Sequence, residues 1–333
     1  MNLLRHKKLI FSSILLFFMS FLFGVWFLYS LINAPLIPDN ASPVLISLDK
    51  STTASQFVRV LKEKKLIQSE KMLLTLIRYE HLAHQLKAGV YQINPGETPQ
   101  QLLQKVTSGD VVSFNFTIVA GTTQKKIAQD LSGATYLHYD PSIWNILRQD
   151  HPNSEGLLLA ETYKYRGGSD AKTLLAQSNR DLINYLNESW ASRTPDLPYK
   201  TPYELLIAAS IIEKETAVPQ ERKLISGVVV NRLKKHMPLQ MDPTVIYALG
   251  DNYKGTLVHE DLSVDSPYNT YKYRGLPPTP IAMVGKEAID AAAHPQLSNY
   301  LYYVAKGDGT HQFSQTYEEQ KQAINQYRRN KGL

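Results

Sequence analysis

Cysteine is absent from the 333 residues. That excludes a disulfide framework and any zinc site built on thiolates. It is compatible with an oxidising compartment. His294 and His311 lack metal-ligand spacing and read as structural or surface residues. No metal and no cofactor is therefore expected. Blocks of one charge sign are missing as well. The formal net charge is +6, but basic residues are spread along the chain and interleaved with acids. With no DNA- or RNA-binding motif, nucleic acid is not an expected partner. A mildly basic exported domain suits an anionic membrane surface or a cell wall instead.

Charge disappears altogether from Leu9 to Ile32, LIFSSILLFFMSFLFGVWFLYSLI. As a helix this run would reach ~36 Å, enough to cross a bilayer core with some tilt. A cleavable signal peptide has a shorter apolar region and a small-residue cleavage site, and Asn33-Ala34-Pro35 is a poor one. An uncleaved anchor is expected. Arg5, Lys7 and Lys8 precede it, so the positive-inside rule places the N-terminus in the cytoplasm and everything after residue 33 outside. Trp26 and Tyr29 fit an interfacial aromatic belt.

After a Pro- and Asn-bearing linker, Pro43 to Leu48 reads as a strand, Ala54 to Lys64 and Ser69 to Tyr79 as helices, and Gly89 to Ile93 as a second strand. This order looks like a LysM-type module, a small fold often used on glycans rich in N-acetylglucosamine. A small α+β spacer without a ligand fits the pattern equally. Thr98-Pro99-Gln100-Gln101 starts a helix to Thr107 that Ser108-Gly109 closes, and Phe114 to Val119 alternates as a strand. Glu155 to Tyr163 is expected as a strand or loop that delivers Glu161 and Tyr163 to a surface.

The chain is organised around Thr201 to Gly250. Thr201 as cap, Pro202 at the first helical position and Glu204 three residues after the cap start a helix, and Pro219 marks its end. Glu215 then lies in or near the last turn. It aligns with Ala208, Ile211 and Ile212, whereas Glu213 aligns with Leu206, Ala209 and Ser210. The two glutamates point to opposite sides and cannot form a carboxylate dyad. A carboxyl against an apolar wall, at the negative end of a helix dipole, has its pKa raised and suits a general acid near neutral pH. A helix-terminal Glu paired with Lys or Arg is the plainer alternative.

Downstream, Pro219 opens a second helix with the apolar stripe Leu224, Ile225, Val228 and Val229, which Asn231 and Arg232 continue as polar groups and candidate cleft wall. Asp242-Pro243 caps a third helix, ended by Gly250. Tyr268-Asn269-Thr270-Tyr271 interleaves aromatic rings with amide and hydroxyl groups, as sugar recognition requires. Tyr300 to Val304 and His311 to Phe313 read as a hairpin.

Together these motifs resemble the membrane-anchored endolytic murein transglycosylases, the MltG or YceG-like family. The resemblance rests on Leu86 to Tyr91, Ala209-Ser-Ile-Ile-Glu-Lys-Glu-Thr216, Asn231-Arg-Leu233, Leu239-Gln-Met-Asp-Pro-Thr-Val-Ile-Tyr247, Tyr268-Asn-Thr-Tyr271, Gly275-Leu-Pro-Pro278 and Ala291-Ala-Ala-His-Pro295. It implies Glu215 as catalytic acid/base, cleavage between N-acetylmuramic acid and N-acetylglucosamine within nascent glycan strands, and 1,6-anhydro ends. Glu213, Asn231, Arg232, Gln240, Asp242, Thr244, Tyr247, Tyr268, Asn269, Thr270 and Tyr271 are the expected substrate-binding set. The implied partners are peptidoglycan strands, the bacterial inner membrane and the peptidoglycan synthases of elongation or division. The family's usual Phe-Pro-Asp-Thr-Tyr run is Leu159-Ala160-Glu161-Thr162-Tyr163 here, Thr279 replaces a glycine, and Val284-Gly285 stands for Pro-Gly. These departures bear on cleft shape.

The expected fold class is α+β: a cytoplasmic tail (1–8), a transmembrane helix (9–32), a linker (33–42), a LysM-like β-α-α-β module (43–112) and a mixed α+β catalytic domain (113–333) with a lysozyme-like helical Glu site. Two other readings stay open. One is a non-catalytic glycan-binding scaffold of the wall-synthesis or division machinery. The other is a hydrolase pairing Glu215 with Asp242 or Glu161 as water activator.

Overall fold

The structure is a computed structural model describing residues 2–331, with the side chains of residues 2–10, 12, 27, 28, 31, 32, 330 and 331 outside the described set. It is mixed α+β and divides into two compact units. The first holds residues 1–114 with 135–138 and 165–169, and the second holds 115–134, 139–164 and 170–333.

In the first unit, α1 (Asn2–Asn33) runs through the expected anchor segment. Arg5, Lys7 and Lys8, on which its orientation rests, have side chains outside the described residues. Among the described residues no helix is long and apolar enough to cross a membrane. Beyond α1, β1 (Val44–Leu48), α2 (Ala54–Glu63), α3 (Glu70–Tyr79) and β2 (Gly89–Ile93) follow in the strand, helix, helix, strand order, with β1 and β2 antiparallel and Val44 opposite Ile93. Thr53 with Gln56 closes a capping box on α2, and Thr98 with Gln101 another on α4 (Pro99–Ser108). Gly109, at φ 79°, ends α4 in the left-handed region where a side chain would be strained. Phe57, Val58 and Leu61 of α2, Ile77 of α3, and Tyr91 and Ile93 of β2 form the core. The segment expected as a linker joins it: Leu36 and Ile37 are buried, and the Leu36 N–H donates to the Glu97 carbonyl at 2.7 Å.

The chain passes between the units in β3 (Ser113–Thr117), β4 (Leu137–His138), β5 (Thr162–Arg166) and β6 (Ser169–Asp170).

The second unit contains α5 (Gln124–Ser132), α6 (Ile143–Arg148), α7 (Ala171–Ala191), α8 (Pro202–Glu215), α9 (Arg222–Lys234), α10 (Asp242–Leu249) and α11 (Lys286–Ala293). The antiparallel hairpin of β7 (Tyr302–Ala305) and β8 (His311–Ser314) and the polar α12 (Tyr317–Lys331) complete it. At its centre is α8, buried at every position from Leu205 to Ile212. Both faces of this helix are apolar because both are covered. Leu205, Leu206, Ala208, Ala209 and Ile212 share a core with α7 and α11, and Ile211 packs with Val229, Leu239, Met241 and Ile281. The small side chains Ala288, Ala291 and Ala292 let α11 lie close against α8. Tyr163, expected at a surface, is buried, and its hydroxyl donates to the Leu159 carbonyl at 3.1 Å. Strand alternation turns Tyr163 and Tyr165 inward and Thr162 and Lys164 outward, whereas Glu161, ahead of the strand, is exposed and paired with Lys286 at 3.2 Å.

Gly227 in α9 faces the chain directly: a Cβ there would lie 2.4 Å from the Gln296 carbonyl oxygen. The same segment is tied to α9 by the Gln296 N–H donating to the Lys223 carbonyl at 2.9 Å. Gly227→Ala is expected to destabilise the protein by about 2 kcal/mol through overpacking. A thermal midpoint unchanged in calorimetry would contradict this close approach.

Candidate active site

The residues that start α8 do so as their types dictate. The Thr201 hydroxyl accepts the Glu204 N–H at 3.2 Å, and Pro202 takes the first helical position. The Glu204 carboxylate reaches one residue further back than a capping box requires, accepting the Lys200 N–H at 2.6 Å. The helix stops at Glu215, with Thr216 extended.

Glu213 and Glu215 leave the helix on opposite sides. Glu213 is fully engaged: its carboxylate accepts the Gly285 N–H at 3.0 Å and meets Arg222 at 3.3 Å. Glu215 Oε2, in contrast, is sealed from solvent and accepts no hydrogen bond. The Glu215 pKa is pushed up to about 7, chiefly by burial. Tyr303, whose hydroxyl donates to Met241 Sδ at 2.9 Å, pulls against that shift from beside the carboxyl, the charge of Asp242 adds to it, and His311 and Arg232 lower it. Such a group is half neutral near pH 7 and can both give and take a proton.

Its surroundings come from distant parts of the chain. Arg232 is buried at the last turn of α9, where its guanidinium donates to the Leu301 carbonyl at 2.6 Å, the Leu239 carbonyl at 2.8 Å and Gln240 Oε1 at 3.1 Å. Asn231 beside it donates to the carbonyls of Ser298 at 2.8 Å and Tyr300 at 2.9 Å. These residues fasten the approach to β7, which carries Tyr303. Burial and the neighbouring Glu215 charge push the Tyr303 hydroxyl well above its ordinary range.

Asp242 is the first residue of α10 rather than its cap, which is Met241. The exposed Asp242 carboxylate accepts the Tyr271 hydroxyl at 2.5 Å. Asp242, Tyr271 and Arg232 all act electrostatically on Glu215, so the structure brings these sequence-selected residues together. Thr244, Asn269 and Thr270 are buried and brace the loop instead. Thr244 and Thr270 share a hydrogen bond of 2.9 Å, and the Asn269 amide donates to the carbonyls of Leu262 and Val264. Tyr247 and Tyr268 pack ring to ring at 4.8 Å and rest on the same core as Ile211 and Tyr303.

Three groups escaped the sequence reading: Tyr303, His311 and Glu155. Glu155 is buried with its pKa pushed up to about 7 by desolvation, accepting the Gln124 N–H at 2.8 Å and the Tyr247 hydroxyl at 3.3 Å. An acid next to a glycine in an apolar run was its only local signal. Glu161 lies at the Lys286 pair and is not among the groups acting on Glu215. Among the described residues no group of three or more His, Cys, Asp or Glu side chains is placed to hold a metal ion.

The sequence profile of the YceG-like family matches residues 46–326. The chain is similar to an endolytic murein transglycosylase of Bacillus subtilis (strain 168), 32% identical over 321 residues that cover 88% of this chain and 87% of that one. It is also similar to an endolytic murein transglycosylase of Streptococcus pneumoniae (serotype 2, strain D39), 26% identical over 342 residues, 90% of this chain and 61% of that one. A crystal structure of a yceG-like protein from Listeria monocytogenes shares the fold with a TM-score of 0.53 at 29% identity, covering 84% of this chain and 98% of that one.

The Glu215 environment predicts a titration. In the full chain labelled with carboxyl-¹³C glutamate, Glu215 is expected to titrate with a midpoint of about 7 rather than the ordinary 4.5. Asp242→Asn should lower the midpoint by removing a neighbouring negative charge, and Tyr303→Phe should raise it by removing a donor. An ordinary midpoint in the unaltered chain would refute the desolvated carboxyl.

Proposed function

Since the chain belongs to the YceG-like family, we propose that it is a peptidoglycan lytic transglycosylase of the endolytic kind, with Glu215 as its single acid/base. It cleaves the β-1,4 bond from N-acetylmuramic acid to N-acetylglucosamine within glycan strands. The observation that carries the reading is one half-buried glutamate whose Oε2 is sealed and unpaired and which is poised near pH 7, while Glu213 is committed to Gly285 and Arg222.

An ordinary glycosidase needs a second carboxylate as nucleophile or to activate water. In a lytic transglycosylase the muramic acid's own C6 hydroxyl takes that part. Glu215 first gives its proton to the glycosidic oxygen as the C1–O bond breaks. As carboxylate it then takes the proton of the C6 hydroxyl while that oxygen bonds C1, leaving a 1,6-anhydro end and the original acid. No water is consumed, and the intramolecular attack supplies orientation. A raised pKa serves both steps, because the same group must be a competent acid and then a competent base.

Around this group, Asp242, Tyr271, Arg232 and Gln240 form the cleft next to the reacting bond, and Tyr247 and Tyr268 offer ring faces to pyranoses. Asn231, Thr244, Asn269 and Thr270 support that cleft from behind. Asp242 also favours a second reading, a hydrolase in which it activates water, because it is exposed and acts electrostatically on Glu215.

The remaining parts of the reading concern location. Residues 9–32 anchor the protein in the bacterial inner membrane with the N-terminus cytoplasmic and the catalytic domain outside. This is supported by the exposed Phe11, Phe17, Phe23 and Trp26 on α1, which only a lipid surround or a partner would cover. The β1-α2-α3-β2 module is LysM-like and meets glycan. The enzyme terminates strand elongation beside the peptidoglycan synthases.

Digestion of uncrosslinked glycan strands by the full chain, with products resolved by mass, is expected to release 1,6-anhydro ends. Glu215→Gln should lower the rate about a thousandfold. Reducing ends in place of anhydro ends would establish the hydrolase, and no cleavage by folded protein would refute both. Because the acid form is needed first, kcat/KM should fall as pH rises through about 7, and a profile flat to pH ~9 would contradict Glu215 as the acid.

A further inference from the structure

Glu221 and His311 take no part in the reaction just described, yet they stand directly behind it. Glu221 ends the 3-10 turn Pro219–Glu221 that follows α8, and His311 opens β8. Both side chains are largely buried, 11% and 16% exposed. His311 Nδ1 lies 2.7 Å from Glu221 Oε2, and the His311 backbone N–H donates to Glu221 Oε1 at 2.9 Å. One carboxylate thus grips residue 311 by ring and main chain together, which removes free rotation of the imidazole. That ring stands edge-on to Tyr303, with centroids 5.3 Å apart and planes at 85°. The contact crosses the β7–β8 ladder diagonally, since Tyr303 pairs with Phe313 and Ala305 with His311. Tyr303 in turn acts on the neighbouring Glu215 carboxyl, and its hydroxyl donates to Met241 Sδ at 2.9 Å.

We propose that Glu221 and His311 are positioning residues for the chemistry at Glu215: their two-point pair fixes the imidazole edge against Tyr303, and so holds the Tyr303 ring and hydroxyl in place beside the Glu215 carboxyl. The inference rests on the transglycosylase reading of that site. A buried polar pair adds little stability compared with apolar packing, whereas a displacement of an oriented group by 1 Å costs about a hundredfold in rate. Arg232 and Asn231 already secure the start of the hairpin, so the Glu221 pair governs the strand that backs Tyr303. The charged or titratable groups facing Glu215 are Tyr303 from β7, His311 from β8, Arg232 from α9, Asp242 from α10 and Tyr271 from its loop.

The test compares full-chain wild type, Glu215→Gln, Glu221→Gln, His311→Phe and His311→Asn on uncrosslinked glycan strands. It measures kcat, KM, the pH dependence of kcat/KM and the thermal midpoint. Glu221→Gln and His311→Phe are expected to lower kcat about tenfold with KM nearly unchanged. In His311→Phe the alkaline limb should move to higher pH, because the electrostatic influence of His311 that lowers the Glu215 pKa is gone. His311→Asn, whose amide can still donate to Glu221 but which presents no ring to Tyr303, should recover no more than part of kcat. The Glu221→Gln and His311→Phe effects should not add in the double variant. Wild-type kcat and an unmoved limb in both variants would overturn the positioning role while leaving the transglycosylase reading intact. Loss that merely tracks the folded fraction, with the limb unmoved, would overturn it too. Absence of anhydro ends from wild type would instead sink the underlying reading.

Discussion

Everything at this site depends on keeping water and donors away from one oxygen atom. Glu215 Oε2 is sealed and unbonded, and burial is the largest influence on its acidity. A carboxyl in water would be ionised at neutral pH and useless as an acid. Apolar side chains on the last turns of α8 provide the desolvation, but they work only because Ile211 is covered by Val229, Leu239, Met241 and Ile281. The packing of the core and the acidity of the site are therefore one property.

The opposing influences are graded rather than absent. Tyr303, His311 and Arg232 pull the pKa back down, while Asp242 pushes it up. Burial alone would leave an acid too weak to become a base again within a turnover. Balanced this way, one residue passes between both forms near neutrality, which is what a reaction without a second carboxylate requires. Much of this balance is held by α9. Its last turn fixes the entrance to β7 through Asn231 and Arg232, and the turn leading into it holds β8 through Glu221.

Much of this architecture was legible in order of residues. The cap Thr201 with Pro202 specifies the start of α8, and Pro219 bounds its end, because capping and the restriction before a proline act within a few residues. The opposite directions of Glu213 and Glu215 follow from the same periodicity. The hairpin was also visible, as was the strand, helix, helix, strand order of the first unit. Where local reading misassigned a residue, a neighbour remote in sequence was responsible. Asp242 read as a cap and is a helical residue bonded to Tyr271, 29 residues away. His311, which read as structural or surface, is structural, and the residue that grips it, Glu221, is 90 residues away.

The sequence by itself determined the helix that carries the acid, the side on which that acid emerges and the family to which the chain is similar. These follow from short-range backbone chemistry and from motifs kept in order. Only the tertiary structure decided which groups meet the carboxyl. The Arg232 bond to Leu301 joins residues 69 apart, and Tyr303 reaches Glu215 across a hairpin that no spacing rule links to α8. Acidity depends on distance and on exclusion of water, and both are properties of packed surfaces rather than of neighbours along a chain.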